Sequence, residues 1–134
     1  MELLHVNKWL IQKGDVNIRP SDYYKQGFTC GESMIKAYNE EHNTNIPVSL
    51  GSGMGAGFTV GSVCGSVGAA AAIIGILKGR ENSDVPNEAR KYTKQLMQDV
   101  REKYDTEICR ELKQKKVSCN DIIEYTYEML NKIL

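Results

Sequence analysis

The sequence predicts an all-α protein, a compact bundle of four to five helices around a central Gly/Ala-rich helix. Apolar residues recur at spacings of three and four over most of the chain, and no segment alternates polar and apolar residues as a strand does. Residues 57–77 carry no charged side chain and consist largely of Gly, Ala, Ser and Val. The chain has 134 residues, the length of one domain, so we expect a single core over residues 1–134.

Small residues define one face of the central helix, which is predicted over residues 57–77. They follow one another at spacings of three or four and so share one side of a helix: Gly57, Gly61, Gly65, Gly68, Ala72, Gly75 and Gly79. Each Gly costs about 1 kcal/mol relative to Ala inside a helix, so tertiary packing must hold this helix together. We therefore expect a neighbouring element to approach this face closely. The same face of small residues would also fit the interface of a homodimer.

The other helices follow from apolar periodicity and from residues that start and stop helices. They are predicted over residues 2–13, 21–42, 85–104, 106–112 and 119–133. Residues 43–47 favour a turn, and residues 78–80 end the central helix. Ser83 or Asp84 is expected to cap the helix at 85–104, and residues 118–121 form a capping sequence for the last helix.

Composition and charge argue against several classes of protein. Seventeen basic residues balance seventeen acidic ones, so no long-range field would attract a nucleic acid. Residues 60–77 give an uncharged stretch at the threshold for a membrane span, but Gly and Ser insert poorly and no aromatic belt flanks them. We expect no membrane-spanning helix, with a span as the alternative. We expect no signal peptide and therefore a cytoplasmic protein, whose cysteines would be thiols, metal ligands or catalytic redox pairs rather than structural disulfides.

One nucleotide motif occurs without its structural context. Residues 51–56 match a dinucleotide-binding fingerprint, which has meaning only between a strand and a helix, and residues 48–50 are too short for that strand. No Walker sequence is present. We therefore expect neither NAD nor another nucleotide as a cofactor. His5 and His42 have no second ligand at helical spacing, so surface positions are expected for both.

The four cysteines are Cys30, Cys64, Cys109 and Cys119, and their spacing matches no zinc or ferredoxin motif. Their local sequence is more informative. Glycine adjoins Cys30 and Cys64, and Cys119 falls at a predicted helix start, where the pKa of a thiol is lowered. Two interpretations stay open at this point: the thiols are inert and buried, or they form one joint site.

An ordered set of short motifs resembles one known family. The motifs are FTCGES at 28–33, GSGMG at 51–55, VCGSVGA at 63–69, GILKGR at 75–80, CREL at 109–112 and Cys119. Together they resemble the C_GCAxxG_C_C family of redox-active proteins over residues 24–134, a four-cysteine helical domain. The N-terminal helix and connector at residues 1–20 lie outside it. The family motif Cys-Gly-Ala-x-x-Gly has Ser66 here in place of Ala and Ala69 in place of Gly.

The resemblance implies a small helical protein with a cysteine-based redox or metal function, often encoded beside transporter genes. It also implies similarity to the cysteine-bearing part of split-Soret cytochromes. The sequence Cys-x-x-Cys-His is absent, so we expect no covalent haem. An oxidoreductase and an electron-transfer protein both fit, each acting with a redox partner of unknown identity. The implied redox or metal-binding residues are Cys30, Cys64, Cys109 and Cys119, and the implied cofactor-binding residues are Gly65 and Ser66.

We expect the four thiols to converge, because helix starts can point at one spot and glycines let backbones approach. Four thiolates would repel one another unless an iron–sulfur cluster or another thiolate-bound metal neutralised them. We rank that version ahead of a thiol/disulfide couple, for which Cys109 and Cys119 are the nearest pair in sequence. A structural zinc-binding domain and an interaction module with inert thiols are the remaining alternatives.

Overall fold

The computed structural model describes residues 18–134, and its regular elements in this range are α-helices joined by turns. In chain order the helices are α1 (Pro20–Lys25), α2 (Cys30–His42), α3 (Gly65–Lys78), α4 (Ala89–Tyr104), α5 (Cys109–Gln114) and α6 (Cys119–Ile133). A 3₁₀ turn spans Val48–Gly51. Across the described residues, strand-like pairing is limited to a single antiparallel bridge between Val63 and Ile108. The all-α prediction is confirmed.

The central position in the core belongs to α3, which packs against α2, α4 and α6. Its buried side chains are Val67, Ala69, Ala70, Ile73 and Ile74, and its partners bury Met34, Ile35, Leu96, Val100, Ile123 and Leu130. The prediction of a bundle around a Gly/Ala-rich helix is therefore confirmed. None of the helices in residues 18–134 combines the length and the apolar character that a membrane span requires. The helix predicted at 2–13 and His5 lie outside the described residues.

The central helix is shorter than predicted, because it begins at Gly65 rather than at residue 57. The turn Gly57–Gly61 precedes it, and four successive residues at 56–59 have φ between +54° and +65°. A right-handed helix cannot continue through a left-handed backbone. The glycines at both ends of this turn, with φ of +64° and +75°, are turn residues rather than members of a helical ridge.

The close approach expected along the small-residue face occurs at the first two turns of α3. A Cβ added to Gly65 would overlap the carbonyl oxygen of Met54 and lie 2.5 Å from Sγ of Cys30. A Cβ on Gly68 would lie 2.7 Å from the ring of Phe58. Real Cβ atoms do not approach other atoms so closely, so a larger residue at either position would force the neighbouring element to move.

The segment predicted as one helix at 21–42 is two helices, α1 and α2. Gly27 separates them with φ of +110°, a backbone conformation that a helix cannot contain. Thr29 then starts α2 with a capping box: its hydroxyl accepts the amide of Glu32, and the Glu32 carboxylate accepts the amide of Thr29. The start of α2 is thus fixed one residue before Cys30.

The helix predicted at 85–104 begins only at Ala89. The preceding loop has its own structure, because the guanidinium of Arg80 donates to the carbonyls of Ser83 and Val85. The helix begins only after this loop, with Glu88 at its N-cap, so the predicted cap at Ser83 or Asp84 is wrong. The short helix predicted at 106–112 likewise starts later, at the first residue of α5.

We expect Gly65→Ala to lower the free energy of unfolding by about 1–3 kcal/mol, because the added methyl group overpacks the contact with α2. Gly75→Ala is the matched control, since Gly75 lies on the same helix and a Cβ there would meet nothing within 4 Å. That change should leave stability unchanged or raise it by up to about 1 kcal/mol. Denaturant unfolding of both variants under reducing conditions measures the difference, and equal effects would contradict the close contact.

Candidate thiol site

Each of the four cysteines lies at the start of a helix. Cys30, Cys109 and Cys119 are the first residues of α2, α5 and α6, and Cys64 immediately precedes α3. All four line a single cavity of about 320 Å³. The structure therefore brings the four thiols around one space, while their chemical roles stay a prediction.

The four cysteines of the cavity wall differ in solvent exposure. Cys30 is 8% exposed and Cys64 is 5% exposed, whereas Cys109 and Cys119 are half-buried. The remaining wall residues come from every element around the cysteines: Tyr24, Thr29, Ser52, Gly55, Ala56, Gly57, Thr59, Gly65, Leu112, Lys113, Val117 and Ile122. Gly65, predicted to bind a cofactor, thus belongs to the wall. A larger, open depression beside residues 87–94 contains no cysteine.

Backbone packing brings Cys30 to the start of α3. The 3₁₀ turn lies directly on the first turn of α2, where a Cβ on Gly51 would overlap the backbone of Gly31. The hydroxyl of Thr29 donates to the carbonyl of Gly51 at 3.0 Å and holds the two turns together. Gly65 then lies against the sulfur of Cys30. The glycines that adjoin these two cysteines in sequence are therefore what allows the two helix starts to meet.

Two extended segments bring Cys109 to Cys64. The amide of Cys64 donates to the carbonyl of Glu107 at 2.8 Å, and the amide of Cys109 donates to the carbonyl of Ser62 at 2.6 Å. The Glu107 side chain is itself fixed, because Arg101 donates two hydrogen bonds to its carboxylate at 2.7 and 2.8 Å. This ion pair lowers the pKa of Glu107. The segment before α5 is therefore held against the segment before α3.

The fourth thiol is placed by the start of α6. Ser118 caps this helix as predicted, since its hydroxyl accepts the amide of Asp121 at 3.1 Å. Cys119 then meets Tyr24 of α1, whose hydroxyl hydrogen-bonds to the Cys119 sulfur and whose pKa rises to about 12 mainly for that reason. The packing of α1 on α6 thus closes this side of the cavity.

The two buried cysteines meet at the start of α3, where the Cys30 sulfur lies against Gly65, and their pKa values are shifted in opposite directions. A hydrogen bond from the Cys30 thiol is the largest cause that lowers the pKa of Cys64 to about 6, and the same bond raises the pKa of Cys30. The hydroxyl of Ser66 lies 3.0 Å from Sγ of Cys64. The amides of Ser66 and Val67 also lower this pKa, against the opposing effect of burial. These shifts favour the thiolate at Cys64 and the neutral thiol at Cys30.

The half-buried Cys109 is not stabilised as a thiolate by hydrogen bonds of this kind. Burial raises the pKa of its thiol, and the positive charges of Lys113 and Arg110 oppose that rise only in part. Because the thiolate is the nucleophilic form, Cys64 is the better nucleophile of the two at neutral pH.

A strained turn forms one side of the cavity. Ala56, Phe58 and Thr59 all adopt left-handed backbone conformations, which cost L-residues about 1–2 kcal/mol each. Arg110 restrains the turn by donating to the carbonyl of Val60 at 3.2 Å. Backbone strain of this kind clusters at functional sites, where the surrounding structure enforces it. Its position beside the thiols supports a functional role for the cavity.

The four thiols, as they are placed, do not form a metal site. Within residues 18–134, no three His, Cys, Asp or Glu side chains are placed together so that they could hold one metal ion. The thiols share a cavity without forming a ligand set, so metal binding would require them to draw together. His42 stands apart from them, stacked on Tyr38 and hydrogen-bonded to Asn131, at the surface position expected for it.

Three features of the site were not predicted from the sequence. The presence of Lys113 at the site could have been predicted, because it lies four residues after Cys109 and therefore on the same face of a helix. The left-handed turn could not, because the glycine spacing at 57–61 also fits a helix. Tyr24 gives no sequence signal, since its contact with Cys119 joins opposite ends of the described chain.

Comparison with known proteins gives one family match and supports the motif-based resemblance. The family model described as "Putative redox-active protein (C_GCAxxG_C_C)" matches residues 28–133, a span that includes all four cysteines. Searches of curated proteins and of solved structures found no match.

We expect alkylation of Cys64 to accelerate as the pH rises through about 6, because the thiolate is the reactive form. Cys30→Ala removes the hydrogen-bond donor, so the midpoint should move up toward the ordinary thiol value of about 8.5. The rate of carboxamidomethylation at Cys64, mapped by peptide mass spectrometry across pH, measures both midpoints. An unchanged midpoint in the variant would contradict the contact between the two thiols.

Ser66→Ala should raise the same midpoint by roughly half to one pH unit, since one hydrogen bond to the thiolate is lost. Ser33→Ala is the matched control. Ser33 is equally buried, but its hydroxyl donates to the backbone carbonyl of Thr29 at 2.7 Å. Both variants lose a buried hydroxyl. An equal shift of the Cys64 alkylation midpoint in both would therefore show that Ser66 affects Cys64 only through the stability of the fold.

Proposed function

The chain belongs to the C_GCAxxG_C_C family of redox-active proteins, and we propose that it acts by thiol–disulfide exchange at Cys30 and Cys64. The observation that carries this proposal is that two buried cysteines meet at the start of α3, where the Cys30 sulfur lies against Gly65 and a hydrogen bond between the thiols lowers the pKa of Cys64 and raises that of Cys30. A nucleophile and a resolving thiol in contact are the two parts that a dithiol couple needs. A reducing compartment such as the cytoplasm would return the pair to its dithiol form.

The first step is attack by Cys64 on a disulfide substrate. A bond forms between the Cys64 sulfur and one substrate sulfur, while the second substrate sulfur leaves as a thiolate and takes up a proton. Cys30 then loses its proton and attacks the Cys64 sulfur, so the first substrate sulfur also leaves as a thiolate and is protonated. The protein loses two electrons and the Cys30 proton. The substrate disulfide gains the two electrons and two protons, the second of which comes from solvent because Cys64 reacts as a thiolate.

The change in charge at Cys64 sets the order of these steps. The pKa of Cys30 is raised chiefly because its thiol donates to the Cys64 sulfur. Once Cys64 has formed the mixed disulfide, its negative charge is gone and that cause no longer acts. The pKa of Cys30 then falls, so Cys30 becomes a nucleophile only after Cys64 has reacted.

The assignment of the pair differs from the one that sequence distance favours. Cys109 and Cys119 are nearest in sequence, but they influence each other through charge, whereas the thiols of Cys30 and Cys64 share a hydrogen bond. We therefore assign the couple to the buried pair. Cys109 and Cys119 are wall residues of the cavity through which a substrate reaches it.

A thiolate-bound metal is the second candidate, supported by the fact that all four thiols line one cavity. In that case the cysteines would hold zinc or an iron–sulfur cluster, and the cluster would supply electron transfer. The described thiols would first have to move toward one another, because they do not form a ligand set as they stand. The contact at Cys30 and Cys64 therefore favours the dithiol couple.

Treatment of the reduced protein with one equivalent of a small neutral disulfide tests the proposal. We expect a Cys30–Cys64 disulfide, identified by alkylation and peptide mapping, and two thiols consumed per chain. Cys30→Ser should stop at a mixed disulfide on Cys64, whereas the control Cys119→Ser should still form the internal disulfide. A disulfide confined to Cys109 and Cys119 would overturn the assignment. Stoichiometric zinc, or iron with visible absorption, after anaerobic purification would favour the second candidate.

A further inference from the structure

We infer that the thiol cavity takes a low-molecular-weight disulfide with a carboxylate close to its sulfur atoms, and that Lys113 selects this substrate. The inference rests on the proposed function, because it names the substrate class for the same pair of thiols. It is carried by the charge and the size of the cavity.

The cavity wall has one formally charged side chain at neutral pH apart from the cysteines themselves, and that side chain is cationic. Among the described residues that line it, Lys113 carries a permanent positive charge, and none is Asp or Glu. Lys113 lies on α5 one helical turn after Cys109, so its ammonium group is on the same side of the helix as that thiol. An anionic group bound there would lie beside the thiols.

A second cation reinforces this charge. Arg110 extends over the strained turn, where its guanidinium would be 3.4 Å from a Cβ on Gly61, and it donates to the carbonyl of Val60. Both Arg110 and Lys113 act electrostatically on Cys109. Neither of them forms an ion pair with any residue in the described range 18–134, so their charges are available to a ligand.

The neighbouring carboxylates have other partners. The oxygens of Glu32 accept hydrogen bonds from the hydroxyl of Ser52 and the amide of Thr29. Glu111 shares α5 with Lys113 but accepts a hydrogen bond from Thr106. Neither acid lines the cavity, so the charged side chain that an anion meets there, besides the cysteines, is Lys113.

The size of the cavity sets the size of the substrate. A volume of about 320 Å³ is at the lower end of the range for small-molecule sites. It accommodates the reacting half of a small disulfide. A carboxylate near the sulfurs would pair with Lys113 while the disulfide faces Cys64.

Three disulfide probes of different charge test this selection: anionic dithiobis(nitrobenzoate), neutral dithiodipyridine and cationic cystamine. The measured quantity is the rate at which each probe produces the Cys30–Cys64 disulfide, obtained by acid quenching, alkylation and peptide mapping. Each rate is divided by the rate at which the same probe oxidises free cysteine, which removes intrinsic reactivity. We expect the normalised rate to be highest for the anionic probe, lower for the neutral probe and lowest for the cationic probe. Added salt should slow the anionic probe but not the neutral probe.

Lys113→Gln should slow the anionic probe by roughly three- to tenfold more than the neutral probe, as expected for the loss of one nearby unit charge. Lys94→Gln removes an exposed lysine of α4 that is not part of the cavity and should change neither rate. Equal reactivity of the three probes in the unsubstituted protein, or equal slowing of anionic and neutral probes by Lys113→Gln, would overturn the inference while leaving the dithiol couple intact. Failure of the neutral probe to form the Cys30–Cys64 disulfide would overturn the proposed function itself.

Discussion

The first turn of α3 rests on the first turn of α2, and no side chain could be inserted between them. At Gly65 a methyl group would overlap the Met54 carbonyl and press on the Cys30 sulfur. Since α3 occupies the centre of the core, this contact fixes the position of α2, of the 3₁₀ turn and of the cavity wall that they share. The thiol site is thus a consequence of how the core is packed, and it cannot be moved without repacking α3.

A buried thiolate is unfavourable unless nearby groups compensate its charge. At Cys64 the compensation comes from the Cys30 thiol, the Ser66 hydroxyl and the amides that open α3. Cys109 has neighbouring cations instead of hydrogen-bond donors, and burial dominates its pKa. Four chemically identical side chains therefore differ in reactivity because the fold gives them different surroundings.

The sequence was sufficient to predict the helices, which depend on local residue patterns. It was insufficient to predict the features whose conformation depends on tertiary contacts. Apolar periodicity identified α2, α4 and α6 because a helix buries residues at fixed intervals. It misassigned residues 57–61, because glycine fits a left-handed turn as well as a helix. Helix starts predicted that the thiols would converge. They could not indicate that Cys30 meets Cys64, since that contact depends on backbone packing between segments far apart in the chain.

The strained turn and the segment before α5 restrain one another. Backbone hydrogen bonds at Cys64 and Cys109 join them, and the pair formed by Arg101 and Glu107 anchors the second segment. Release of these bonds would let the left-handed residues relax, so opening is favoured by the stored strain and opposed by the pairing, by the hydrogen bond from Arg110 to Val60 and by the packing of Phe58 on Gly68. The two segments therefore form one unit of local unfolding, whose amides exchange with solvent together. We therefore expect opening of this unit to uncover Cys64 and Cys109 together, and the lifetime of the backbone pairing to limit how often large reagents reach the buried nucleophile.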